Sequence, residues 1–294
     1  MNFVSVVEIA KKWNVSDRMV RNYCAQGRIP GAFLTGKTWN IPADAIKPSR
    51  ESKKIFSDNA LLNILKEEKD SKLSGGIYHK TQIEMTYNSN HIEGSKLTED
   101  QTRYIFETKT IHTTNQALPA NDLIETMNHF QCIDFIIENA KSKLTEAFIK
   151  KLHFMLKYGT FHDIFINVGA YKNLPNEVGG KMTCKPELVK EEMQKLLTTY
   201  NSLTNVTIEN IIEFHYHFEN IHPFQDGNGR VGRLIMFKEC LAHNIVPFII
   251  DDDHKLFYYR GLKEWKIARG YLIDTCLSCQ DKYKAWLNYF KIDF

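Results

Sequence analysis

The 294-residue chain reads as a mainly α protein with one short β-hairpin late in its length and a small mixed module at its start. Three observations predict this. Apolar residues recur at three- and four-residue steps through most of residues 60–156 and 207–290. Short extended runs pair around glycine in only two places, residues 32–41 and 174–184. Basic charge gathers at the N-terminus: residues 1–50 hold eight Lys/Arg against three Asp/Glu, while the whole chain is only +3. Such asymmetry predicts a basic module on a near-neutral body.

Ser5-Val-Val-Glu8 is a capping-box pattern opening a helix through Trp13. Asn14-Val15 makes a turn, Ser16 caps a second helix to about Gln26, and Gly27 stops it. Two short helices across a tight turn, then a hairpin around Thr35-Gly36-Lys37, predict a helix-turn-helix module over residues 1–48. Residues 49–72 read as a polar linker and a short helix, and residues 73–294 as the main domain. Within it, helices are expected over 77–93 and through Leu97–Lys151. One begins at Asn121-Asp122 with Leu123, Met127, Phe130 and Ile137 on its apolar face. Another runs Leu144–Leu156. Gly179-Gly180 marks the later hairpin. Thr207 caps a helix whose Ile208, Ile211, Ile212, His215 and Phe218 share a face, which makes His215 a core residue. Asp251-Asp-Asp253 reads as a capping or solvated turn, and Leu256–Arg269 and Thr275–Phe290 as amphipathic helices.

No apolar run is long enough to span a bilayer and no signal-peptide pattern opens the chain. The six cysteines are scattered, and Cys276-Leu-Ser-Cys279 has no second pair to make a zinc site. A reduced, cytoplasmic setting without a membrane partner is expected.

The chemistry concentrates in His222-Pro-Phe-Gln-Asp226-Gly-Asn-Gly-Arg230-Val-Gly-Arg233. Gly227-Asn228-Gly229 is a tight turn running into a helix, whose N-terminus offers unpaired N–H groups and a positive dipole end to an anion. Arg230 and Arg233, three residues apart, project from the first turns on one side and suit a polyphosphate. Asp226 is a hard oxygen ligand where Mg²⁺ accompanies phosphates. His222 can take a proton from an attacking hydroxyl. A Walker A loop is excluded, because no G-x-x-x-x-G-K-[ST] occurs.

These twelve residues resemble the signature of Fic-domain proteins, HxFx(D/E)GNGRxxR, with every specified position filled. The resemblance covers roughly residues 73–294 and implies a Fic helical core whose 174–184 hairpin is a flap that registers a target segment. It implies a protein adenylyltransferase that moves AMP from ATP, with Mg²⁺ or Mn²⁺, to a Tyr, Thr or Ser hydroxyl of a target protein or of the chain itself. His222 would be the base and Asp226 the metal ligand. Gly227, Asn228, Gly229, Arg230 and Arg233 would receive phosphates, and Phe224 would anchor the loop. Ser89-Asn-His-Ile-Glu93-Gly94 is similar to the family's (S/T)xxxE(G/N) inhibitory motif, which implies that Glu93, with Ser89, pairs with Arg233 and blocks the γ-phosphate. In some relatives this glutamate also serves to remove AMP. Phosphate-transferring members carry a lysine in the glycine turn, where Gly229 stands here. A homodimer is common in the family. Residues 1–48 resemble a MerR- or excisionase-like winged helix-turn-helix, in which Arg18, Arg21, Asn22 and Arg28 would meet DNA. A second class stays open: a DNA-binding transcriptional regulator whose Fic body senses a ligand or dimerises.

Overall fold

The computed structural model describes residues 2–25, 27–36, 38–48, 59–111, 117–160 and 167–294. The polar part of the expected linker (49–58), Gln26 at the end of the second predicted helix and Lys37 in the first hairpin turn lie outside the described residues. The chain divides into two compact units, Met1–Phe56 with Leu256–Ser278, and Ser57–Lys255 with Cys279–Phe294.

The first unit opens with β1 (Phe3–Val4) and α1 (Val6–Trp13). Ser5 and Glu8 close the predicted capping box: the Ser5 N–H donates to Glu8 Oε2 at 2.8 Å and the Glu8 N–H to Ser5 Oγ at 3.3 Å. Asn14 turns the chain in a left-handed conformation, and α2 (Asp17–Ala25) follows, with Ser16 Oγ accepting from the Met19 N–H. β2 (Phe33–Thr35) and β3 (Thr38–Pro42) form the predicted hairpin, and the antiparallel sheet runs β1-β3-β2. Val6, Ile9, Trp13, Val20, Tyr23, Ile29 and Ile41 make this unit's core. Arg18, Arg21 and Asn22 stand exposed on α2. Arg28 departs from that set, its guanidinium lying 5.0 Å over the Tyr23 ring.

The second unit contains α3 (Ala60–Ser71), α4 (Ile77–Ile92), α5 (Glu99–Thr108), α6 (Ala120–Glu138) and α7 (Glu146–Lys157). Then come the hairpin β4 (Glu177–Val178) and β5 (Lys181–Met182), α8 (Pro186–Asn201), α9 (Ile208–Ile221) and α10 (Asn228–Ala242). The helical run expected through Leu97–Lys151 is interrupted. Thr98 opens α5 with a capping box, Lys109 ends it in a left-handed conformation, and α6 starts only after Pro119. Asp122 does not cap α6 but accepts the Lys96 N–H at 2.6 Å. Met127 is 52% exposed, so the apolar face of α6 excludes it and runs instead through Phe130, Ile133 and Ile137. α8 was not anticipated, although Pro186 in its first turn and Val189, Met193, Leu197 and Tyr200 at helical spacing mark it.

α10 is buried along nearly its whole length and packs against α4, α6, α7 and α9. A helix buried all round shows no polar stripe, and this one carries the signature residues into the centre of the unit. Asp251 accepts the His254 N–H at 3.1 Å and caps a 3-10 turn, as expected. The last two helices are α11 (Lys255–Glu264), shorter than the predicted Leu256–Arg269, and α12 (Gly270–Tyr289), which begins before Thr275. Among the described residues no helix is long and apolar enough to cross a membrane.

Candidate active site

α9 ends at Ile221, and His222 caps it in a left-handed conformation (φ 51°), donating its N–H to Phe218 O at 2.9 Å. A histidine held there stores of order 1 kcal/mol of strain, which the surrounding packing must sustain. Phe224 drives that packing. It is fully buried, stacked on the His153 ring at 3.9 Å between centroids. Asn228 ties the loop shut, its Oδ1 accepting the Phe224 N–H and its Nδ2 donating to Phe224 O, each at 2.8 Å. The Asn228 side chain is thus engaged in shaping the turn, which leaves its backbone N–H at the start of α10. Gly227, at φ 79°, begins α10 without a side-chain cap. A Cβ on it would stand 3.4 Å from the Lys157 stem.

The two arginines of the signature diverge. Arg230, 5% exposed, pairs with the buried Glu125 of α6 and lies 3.8 Å from Asp226. Glu125 also pairs with Lys157, which is 1% exposed and reaches Asp226 Oδ2 at 2.6 Å. The other Asp226 oxygen accepts the Gly227 N–H at 2.6 Å. Burial works to raise the Asp226 carboxyl, but the charges of Arg230 and Lys157 outweigh it and hold the group ionised, well below the usual carboxylate range. Its side chain is 48% exposed, so an outward face remains open to a hard cation. Among the described residues no group of three or more His, Cys, Asp or Glu is placed to hold a metal. A divalent ion on Asp226 would draw its other oxygens from a substrate and from water, as Mg²⁺ does beside polyphosphates.

Arg233 faces the other way. Its Nε donates to Ser89 Oγ at 3.0 Å, and its Nη2 to Ser89 O at 2.9 Å and to Glu93 Oε1 at 2.7 Å. Glu93 is the residue that ends α4, so this helix delivers both partners. The carboxylate lies directly over the first turn of α10. Burial pulls the Glu93 carboxyl up, yet Arg233 and Arg230 hold it below its ordinary value. Beneath Arg233 sit His215 and Glu219, their Nε2 and Oε1 4.0 Å apart. His215 is a core residue, as predicted, pushed down to about 3 by burial and by Arg233. Burial, then the Glu93 charge, push Glu219 up to about 8.

His222 itself is pushed down to about 4, by burial first and by the Lys172 charge second, so its imidazole is neutral at pH 7. Lys172 brackets it: the Lys172 N–H donates to Pro223 O at 2.8 Å and Nζ to Ile221 O at 3.4 Å. The same ammonium donates to Asn176 Oδ1 at 2.8 Å and Thr183 Oγ1 at 2.6 Å, at the foot of the β4–β5 hairpin. Asn176 Nδ2 in turn donates to Phe224 O at 3.1 Å. His153 completes the support. Its Nδ1 accepts the Gly169 N–H at 2.9 Å, so Nε2 carries the proton and donates to Asp226 O at 3.1 Å. Sequence reading did not single out Glu125, His153, Lys157 or Lys172. The only linear signal was the four-residue spacing of His153 and Lys157 on one helix face.

Residues 143–240 match the model of the Fic/DOC family. The protein adenylyltransferase Fic of Nematostella vectensis is 27% identical over 222 residues, 70% of this chain and 50% of that one. The Drosophila melanogaster protein of the same name is 30% identical over 183 residues, covering 60% and 36%. The chain thus spans half or less of the length of these relatives. A Fic-domain-containing signalling protein from Bacteroides thetaiotaomicron is 27% identical in structure-based alignment, covering 79% of this chain and 91% of that one with a TM-score of 0.58. The signature stretch, the helical architecture and these matches agree: residues 143–240 match the Fic/DOC family model, and the chain is similar to protein adenylyltransferase Fic.

Proposed function

We propose that the chain is a protein adenylyltransferase, moving AMP from ATP to a Tyr, Thr or Ser hydroxyl on a target protein or on itself, and that Glu93 restrains it. The observation that carries this reading is the Glu93 carboxylate seated at the start of α10 and on Arg233. The chain fills with its own anion the place that the signature builds for phosphate.

In the reaction, neutral His222 takes the hydroxyl proton as the oxygen attacks the α-phosphorus, the bond to the bridging oxygen breaks, and pyrophosphate leaves. The N–H groups of Gly229 and its neighbours, with Arg233, receive phosphate oxygens. A divalent ion, Mg²⁺ or Mn²⁺, held by Asp226 would offset charge on the departing pyrophosphate. While Glu93 holds Arg233, the terminal phosphate lacks its anchor and the α-phosphorus is misaligned, which can cost orders of magnitude in rate. The exposed Val178 and Met182 of the hairpin suit a target segment that adds as a strand. The Glu93 carboxylate would also suit orienting water for AMP removal.

The test is label transfer from α-labelled ATP to protein in a cell lysate and to the chain itself. Glu93→Gly should label strongly, wild type weakly, and Glu93→Gly with His222→Ala not at all. Labelling from γ-labelled ATP alone would make the chain a phosphotransferase. ATP binding without transfer in any variant would leave the regulator reading. Arg18, Arg21 and Asn22, exposed together on α2, favour DNA contact as a coexisting role. DNA binding should then weaken steeply with salt, and no binding at low salt removes that role.

A further inference from the structure

The Asp226 carboxylate already has a cation. Lys157 Nζ stands 2.6 Å from its Oδ2, on a side chain 1% exposed, and α7 delivers it to the loop from beneath. Its other partner, Glu125, is shared with Arg230. Lys157, Arg230, Glu125 and Asp226 thus form a closed set of two cations and two anions with no net charge. A lysine with a long flexible stem is an unlikely choice for anchoring a loop, since ordering it costs side-chain entropy. Burying its ammonium is costly unless the charge is paired. The loop backbone is independently held by Asn228, His153 and Asn176. Lys157 therefore acts on the one group those bonds leave alone, the carboxylate.

We propose that Lys157 is the resident cation of Asp226, a positioning residue that orients the carboxylate and competes with the incoming divalent ion for its oxygens. The inference rests on the reading of Asp226 as the metal ligand. With Lys157 in place, Asp226 offers the ion a carboxylate whose charge is already matched. The ion then binds well only when phosphate oxygens arrive with it. A site of this kind stays metal-poor until nucleotide enters. Losing Lys157 leaves the set at −1 and strengthens its pull on a cation. Losing the Glu125 charge leaves it at +1 and weakens that pull.

The opposite signs make the test. In the full chain carrying Glu93→Gly and His222→Ala, so that nucleotide enters but is not consumed, bound Mn²⁺ is followed by EPR with a non-hydrolysable ATP analogue. Thermal melting checks folding. Lys157→Gln should lower the Mn²⁺ concentration for half-saturation roughly tenfold and Glu125→Gln should raise it by a similar factor, as expected for one charge a few Å from a divalent ion. A merely structural role would move both variants the same way. Shifts of the same sign, or none, while Asp226→Asn still weakens Mn²⁺, overturn the inference and spare the metal reading. Unchanged Mn²⁺ binding in Asp226→Asn overturns both. Should Lys157→Gln fail to fold, Glu125→Gln carries the test, and unchanged or tighter Mn²⁺ there overturns the inference.

Discussion

The Glu93 carboxylate lies so close over Gly229 that a Cβ on that glycine would stand 2.2 Å from Oε1, and 3.0 Å from Nη1 of Arg233. The obstruction is the end of a flexible side chain, not backbone, so alanine there must push Glu93 aside. Gly229→Ala should therefore destabilise the wild-type chain by about 1–2 kcal/mol as the buried pair is disturbed. In a Glu93→Gly chain the same change should be neutral or stabilising by up to about 1 kcal/mol, since alanine is the better helix residue. Denaturant unfolding of the four proteins gives the coupling; equal effects in both backgrounds would refute the steric account.

Glu93→Gln separates charge from bulk. The amide keeps the length and can still accept from Arg233, but it no longer opposes an anion at the helix end. Binding of an ATP analogue should tighten in the order wild type, Glu93→Gln, Glu93→Gly. Roughly tenfold or more should separate the first from the last, as read by calorimetry. A glutamine variant that binds no better than wild type would show that bulk alone blocks the site.

His222 is pushed down to about 4, so it remains a competent base well below the ordinary histidine range. In the Glu93→Gly chain, the acid limb of labelled transfer should fall near pH 4 rather than near 6.5. The stability linkage has a definite sign. Between these values the unfolded chain binds the extra proton, so this contribution is full above about pH 6.5 and is lost as pH falls toward 4. A limb between pH 6 and 7 would mean that Lys172 and burial do not act on the imidazole as described.

Glu219 acts in the opposite direction. Burial, and then the charge of Glu93, push it up to about 8, so it is stable as the neutral acid. Its contribution is present below its ordinary carboxylate value and is lost as pH rises through about 8. Thermal midpoints should fall as pH rises from about 4.5 to about 8 in wild type, and less in Glu219→Gln. An equal fall in both would remove Glu219 as the cause.

The signature could be read because its chemistry is contiguous: base, carboxylate, turn and arginines occupy twelve residues. The pairing of Glu93 with Arg233 was expected from the resemblance, not from residue spacing, because the two are 140 positions apart. Glu125 and Lys157 escaped for a physical reason. A glutamate within an amphipathic helix and a lysine in a last turn both satisfy solvent and dipole, and nothing local marks them as buried. Met127 was misplaced because the buried stripe of α6 includes Glu125, Thr126 and His129, polar residues that blur its apolar period. Arg230 and Arg233 were expected to project together from one side of the first turn of α10, but carboxylates on different helices, Glu125 and Glu93, draw them apart.

That divergence has a consequence for how ligands compete. Arg230 is enclosed by Glu125 and Asp226, so under the proposed function the exchange of anions falls to Arg233. Glu93 is tethered at the end of α4, and its effective concentration is fixed by the fold. An anionic ligand therefore titrates against a competitor that neither dilution nor expression level can change. Under the proposed function its apparent affinity would be set within each molecule, by the ratio of two local equilibria, and displacing Glu93 or the end of α4 that carries it would change that ratio.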